Sequence, residues 1–268
     1  MKNRVVIVTG ASSGIGKALV FRLAEMGAKV VLAARNLQII DEISLSLNAK
    51  GYDTFVVKVD VSIENECKVL VEKTIEKYGK IDILINNAGI SMRAMFQDVD
   101  LKVIHQLMDV NFWGTVYCTK YAFPFILKEK GSVVGVSSIA GYKGLPARSG
   151  YSASKFAMQG FLDVLRIENL KKDLHVLVAC PGFTASNIRK TALAKDGSQQ
   201  GETPRDEDKM MSPEAVAYRI IDAIEKRKRT IIMTTDGVLT VFLNKFFPKL
   251  VDKLVYNHMA KEPDSPFS

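Results

Sequence analysis

Short β-branched apolar runs alternate along the chain with longer segments in which apolar residues recur every three or four positions. The runs Val5–Thr9, Lys29–Ala33, Thr54–Val59, Ile81–Ile85, Ser132–Val136 and His175–Ala179 read as strands. Between them, residues 15–28, 37–50, 63–78, 100–129 and 152–172 carry the helical period. The strands lack polar alternation, which fits a parallel sheet covered on both faces. Repeated strand–helix units with right-handed crossovers predict an α/β fold: a three-layer, doubly wound parallel sheet in a single domain. Ligands on such sheets bind outside the carboxyl ends of the strands.

After Pro181-Gly182 the pattern loosens. The stretch from Phe183 to Met211 is rich in Lys, Asp, Gly and Gln, and is longer than most connections in compact domains. It suits a lid over a ligand site, spanning 183–212. Ser212 then reads as the N-cap of another helix with Pro213 at its first position, ending in the basic run Lys226-Arg227-Lys228-Arg229. Beyond it, Leu239, Phe242, Leu243, Phe246, Phe247, Leu250, Val251, Leu254 and Val255 repeat with helical period, opposite Lys245, Lys249, Asp252 and Lys253. Pro248 is expected to kink or divide that helix. We place a body at 1–236 and an amphipathic tail of the same domain at 237–268. Such a tail fits a flap over the cleft, a dimer contact or a peripheral membrane contact.

Composition narrows the function classes. The 268 residues are 47% hydrophobic and 25% charged, ordinary for a soluble globular protein and unlike a disordered chain. The formal net charge of +8 favours an anionic partner. No nucleic-acid module pattern appears, so a phosphate-bearing ligand is expected and nucleic acid is not. Cys67, Cys118 and Cys180 lack metal or CxxC spacing, which fits reduced thiols in a cytoplasmic setting. His105, His175 and His258 lack mutual metal spacing, so no metal is expected. The apolar run Val5–Val8 is shorter than the roughly 7–15 residues of a signal-peptide core. Nor does any stretch approach the roughly 20 apolar residues of a membrane span.

Three constellations carry candidate chemistry. Gly10, Ser12, Ser13, Gly14, Ile15 and Gly16 form a glycine-rich turn that directly follows the first strand and opens a helix. Glycine permits close approach to a phosphate, and a helix N-terminus offers free N–H groups and a positive dipole end. By itself such a turn is also an ordinary tight strand–helix connection. The second strand then ends Ala33-Ala34-Arg35-Asn36. An acidic residue there would bond the ribose 2′-hydroxyl of NAD, whereas an arginine accommodates the 2′-phosphate of NADP. Arg35 without a carboxylate therefore favours NADP(H), against the plain reading of a solvated arginine beside a helix cap. Finally, Tyr151 and Lys155 are four apart and share a helix face. A cation near a phenol favours phenolate, lowering a pKa near 10 toward useful acid–base chemistry. At this spacing alone, an amphipathic pair packed at a helix start is the better reading.

The ordered set of motifs from residue 4 to 182 resembles the short-chain dehydrogenase/reductase family, in the subgroup with a TGxxxGxG turn and a YxxxK site. It comprises the turn above, Asp60-Val61, Asn86-Asn87-Ala88-Gly89, Asn111, Ser137-Ser138, Tyr151 with Lys155, and Pro181-Gly182. The resemblance implies a Rossmann-like fold and an oxidoreductase interconverting a carbonyl and a secondary alcohol by hydride transfer. It makes Tyr151 the general acid/base and Lys155 the ligand of the nicotinamide ribose that lowers the tyrosine pKa. Ser138 would polarise the substrate oxygen, and Asn111 would hold a water linking Lys155 to a proton relay. Asp60 would contact the adenine, with Val61 beside it. Asn87, Ala88 and Gly89 would line the adenosine side, and Pro181, Gly182 and Thr184 would border the nicotinamide. One departure is mild: the family often has Thr five residues after its Pro, where this chain has Ser186. The basic run and apolar tail are similar to lipid- and steroid-type members such as the membrane-associated DHRS7 group. That likeness implies a hydrophobic ketone substrate, and the family commonly forms homo-oligomers. The alternative is a dinucleotide-binding sensor or scaffold without turnover, which would not need Ser138, Tyr151 and Lys155 together.

Overall fold

The computed structural model describes residues 1–202, 210–263 and 265–267. Seven strands form one parallel sheet: β1 (Val5–Thr9), β2 (Lys29–Ala34), β3 (Thr54–Lys58), β4 (Ile83–Asn86), β5 (Ser132–Val136), β6 (His175–Cys180) and β7 (Thr230–Ile232). Their spatial order is β3-β2-β1-β4-β5-β6-β7. The order reverses between β1 and β4, which both pair with parallel register through Val6 (Val6↔Val30 towards β2, Val6↔Ile83 towards β4). A crevice at the carboxyl ends of β1 and β4 is the consequence.

Alternate strand residues feed opposite layers, as strand geometry requires. On one face, Val6, Val8, Val30 and Leu32 pack with α1 (Gly14–Glu25), α2 (Leu37–Asn48) and α7 (Pro213–Glu225). On the other, Ile7, Val31, Val133 and Val176 pack with α3 (Glu64–Tyr78), α5 (Gly114–Lys128) and α6 (Ser149–Glu168). Cys67, Cys118 and Cys180 are buried free thiols in that second layer. A smaller apolar cluster joins Met92, Leu193 and α4 (Leu101–Met108), with Tyr151 packed against it.

Three elements differ from the sequence expectation. The segment 100–129 is not one helix, because a five-residue π turn, Asp109–Trp113, separates α4 from α5. Hydrophobic periodicity continues across that turn, so the pattern hides it. The strand β7 was not expected: it has three residues and follows the basic run directly. The helix expected at 152–172 begins at Ser149 and so contains Tyr151.

Ser212 accepts from the Ala215 N–H at 3.1 Å and caps α7, with Pro213 at its first position. In the tail, α8 (Thr235–Phe246) and α9 (Pro248–Ala260) meet at Phe247, where Pro248 opens the second helix. The expected lid 183–212 is described except at residues 203–209, which lie outside the described residues. Its ends are joined by backbone bonds from Met211 N–H to Phe183 and from Ala185 N–H to Met211.

Candidate active site

A cavity of about 1340 Å³ opens at the carboxyl ends of the strands. Gly10, Ser12, Ser13, Gly14 and Ile15 line it, as do Arg35, Asp60, Val61, Asn87, Ala88 and Gly89. Ser138, Tyr151, Lys155, Pro181, Gly182 and Thr184 line it too. Of the residues given a site role from sequence, Gly16 and Asn111 are not at its wall. Both lie just behind it.

The glycine-rich turn is shaped by contact. Gly10 and Gly14 have left-handed φ angles of +66° and +50°, which other residues adopt rarely. A Cβ on Gly16 would lie 2.1 Å from the Gly10 carbonyl oxygen, so this glycine serves packing of α1 against the turn. The first turn of α1 has no side-chain cap and no acidic residue, which leaves its positive end available to an anion. Thr9 ties the neighbouring turn in place: its Oγ1 accepts from the N–H groups of Asn87 and Ala88, each at 3.0 Å. Asn87 Nδ2 donates to the Thr9 carbonyl at 2.9 Å.

At the end of β2, the exposed Arg35 side chain lies 4.0 Å from Asp60 at the end of β3. Asp60 turns its other oxygen to Ser62, accepting from the N–H at 3.0 Å and from Oγ at 2.7 Å. No carboxylate occupies the last position of β2 itself.

On the opposite side, β5 stops at Val136 and Ser138 caps a short 3₁₀ turn, Ile139–Gly141, accepting from the Ala140 N–H at 3.2 Å. The Ser138 hydroxyl also faces the Tyr151 phenol. Lys155, one helical turn after Tyr151, is buried and donates to the Val136 carbonyl at 2.9 Å. Its ammonium lies 5.8 Å from the tyrosine ring centre. Burial lowers Lys155 to about 8. Burial raises the Tyr151 phenol, while the Ser138 hydroxyl and the charge of Arg148 pull it down. Arg148, three residues earlier, thus adds a second positive charge near the phenol beside that of Lys155.

Asn111 sits fully buried in the π turn. Its Oδ1 accepts from the Ile90 N–H at 2.8 Å, and its Nδ2 donates to the Ile90 carbonyl at 3.0 Å and to Ser154 Oγ at 2.9 Å. The amide thus fastens the segment after Gly89 to α6. A side chain at Gly89 would press on Asn111 Oδ1 at 3.1 Å and approach Lys155 Nζ at 3.5 Å.

A family model for short chain dehydrogenase matches residues 4–197, the stretch that builds every one of these features. The chain belongs to the short-chain dehydrogenase/reductase family. Dehydrogenase/reductase SDR family member 7B of Mus musculus is 35% identical over all of this chain and 85% of its own length. The 11-beta-hydroxysteroid dehydrogenase-like 2 protein of Arabidopsis thaliana is 40% identical over 69% of this chain and 60% of its own length. A short-chain dehydrogenase/reductase of Burkholderia phymatum, solved in complex with NAD, superposes with a TM-score of 0.82 at 23% identity, covering 93% of this chain and 95% of its own.

Several cavity residues of this family member had no motif to announce them. Arg148 lines the wall beside Tyr151, and Thr234 caps α8 where a side chain at Gly182 would meet it at 2.4 Å. The tail contributes Leu239, Leu243, Val251, Leu254, Val255 and Met259. Of the placements open to the tail, the flap over the cleft is thus realised, and only its amphipathic period pointed there. His258 stacks on Phe183 at 6.5 Å between ring centres. His175 is held between Ser132 and the Lys228 carbonyl, both at 2.9 Å, and His105 is exposed. No group of three metal-binding side chains occurs among the described residues.

Proposed function

We propose that this dehydrogenase/reductase is an NADP(H)-dependent enzyme that reduces a hydrophobic ketone to a secondary alcohol. The observation that carries the reading is the meeting of Ser138, Tyr151 and Lys155 at one end of a cavity whose other end is the glycine-rich turn. The turn fits a dinucleotide: its left-handed glycines let the backbone pack tightly against the end of β4, at an uncapped helix N-terminus. A nicotinamide dinucleotide supplies the hydride when bound. Lys155 holds its ribose, and Arg35 takes the 2′-phosphate of NADP. The exposure of Arg35 and the absence of a carboxylate ending β2 support that choice, while the Burkholderia structure's NAD leaves it to experiment.

Tyr151 gives its phenolic proton to the carbonyl oxygen as the alkoxide forms. Burial keeps the phenol protonated near neutrality, the form a reduction requires. Ser138 donates to the same oxygen, where charge develops. The apolar tail residues support a bulky hydrophobic substrate, in keeping with the hydroxysteroid name of the Arabidopsis relative. We place the enzyme in the cytoplasm as a homo-oligomer, with peripheral membrane contact through Phe242, Phe246 and Leu250, which are exposed on the tail. No helix among the described residues is long and apolar enough to cross a membrane.

The test follows NADPH absorbance across steroid, long-chain and small aromatic ketones. Turnover is expected, with a loss of about 10²–10⁴-fold in Tyr151→Phe. In Arg35→Ala, affinity for NADPH is expected to fall far more than affinity for NADH. Equal loss for both would remove the role given to Arg35, and no turnover on any ketone would favour a dinucleotide-binding sensor.

A further inference from the structure

Two residues of the loop between Ser138 and Tyr151, Lys143 and Arg148, tie the tail to the body. Lys143 donates to Asn244 of α8 at 2.9 Å and to Asp252 of α9 at 2.5 Å. Beyond α9, Glu262 turns inward. Its side chain is 4% exposed and meets Arg148 at 3.1 Å and Arg93 at 3.8 Å, whose side chains are each 10% exposed. Arg93 also donates to the Pro263 carbonyl at 2.6 Å. A buried carboxylate between two guanidiniums holds its place strongly, because removal of one partner leaves charge uncompensated away from water. Arg148 is the residue just before α6, three positions ahead of Tyr151, and it lines the cavity.

We propose that Glu262 anchors the tail hairpin over the substrate cavity and, through Arg148, acts as a positioning residue for Tyr151. The anchor makes α8 and α9 the outer wall of the substrate site, so substrate size is read partly by residues after 237. It also fixes Arg148 in the field of the phenol. The groups that face that phenol are Ser138 and Cys180 from the strand ends, and Arg148 and Lys155 from the start of α6. Glu262 and Arg93 act at one remove, by neutralising and holding Arg148.

The inference rests on the ketone-reductase reading, so its test pairs a kinetic readout with one that needs no turnover. Glu262→Gln keeps shape and removes charge; Glu262→Asp keeps the charge and serves as the conservative rescue if the first variant folds poorly. Amide hydrogen exchange over 235–260 is expected to quicken about tenfold or more in Glu262→Gln, with exchange at the β1–α1 turn unchanged. With NADPH, the KM for decalone, a bicyclic ketone, is expected to rise about tenfold, and that for cyclohexanone to change little. Removing the carboxylate takes a negative charge from beside Arg148, so the basic limb of the kcat/KM profile should move to lower pH. In Arg148→Met it should move to higher pH. Opposite displacements are not the mark of a merely structural residue. Unchanged exchange in Glu262→Gln, or limbs that move the same way in both variants, overturns the proposal. Faster exchange without turnover on either ketone keeps the anchor and refutes the reductase reading instead.

Discussion

A half-buried phenol and a buried ammonium sit four residues apart at the centre of this site. Burial holds the Tyr151 phenol in its neutral form and brings Lys155 down to about 8. For a lysine the lowered value means that the ammonium is fully populated only below about pH 8. Reduction needs both the neutral phenol and the ammonium, so kcat/KM is expected to hold from neutral pH and fall as pH rises through about 8. The limb belongs to the pair, since neighbouring sites titrate together. A profile flat to pH 10 would show that the ammonium is not required. Tyr151, Lys155 and Ser138 were legible because their chemistry depends on spacing along one helix and one strand end. Arg148 was not, because its partner Glu262 lies 114 residues away and neither stands in a motif.

At the scale of elements, the glycine-rich turn and the β4 end form one interlocked unit through Thr9 and Asn87. Gly16 is the tightest point, where an added methyl meets the Gly10 carbonyl at 2.1 Å. Gly16→Ala is therefore expected to destabilise the fold by about 1–3 kcal/mol, the usual cost of overpacking, and to weaken dinucleotide binding as the turn shifts. Thermal unfolding and a titration with NADPH check both effects, and an unchanged melting temperature would contradict the crowding. Alternation of β-branched runs and helical period revealed six of the seven strands and both layers, because each strand buries both faces. The π turn at Asp109–Trp113 escaped because its apolar period is continuous, although Asn111 in a helix hinted at a purpose other than propensity. The strand β7 escaped because it is three residues long and borrows its register from β6.

At the scale of the whole molecule, the tail both lines the cavity and leaves an apolar face outward. One side of α8 and α9 closes the cavity, while Phe242, Phe246 and Leu250 remain exposed beside Lys245, Lys249 and Lys253. Exposed aromatics flanked by lysines suit an anionic lipid surface. Sedimentation with vesicles containing phosphatidylserine is expected to carry down the native chain and to lose the double variant Phe242→Glu/Phe246→Glu. Equal partition of the two would remove the membrane contact and leave that face to a second copy of the chain.

The central claim is hydride transfer to a carbonyl carbon with Tyr151 supplying the proton. Its most direct test is incubation with NADPH deuterated at the transferring position of the nicotinamide and a hydrophobic ketone, followed by mass spectrometry of the alcohol. The account predicts one deuterium on the carbinol carbon of the native product, and label transfer slowed about 10²–10⁴-fold with Tyr151→Phe. NADPH that binds the native chain yet transfers no label to any ketone would contradict it.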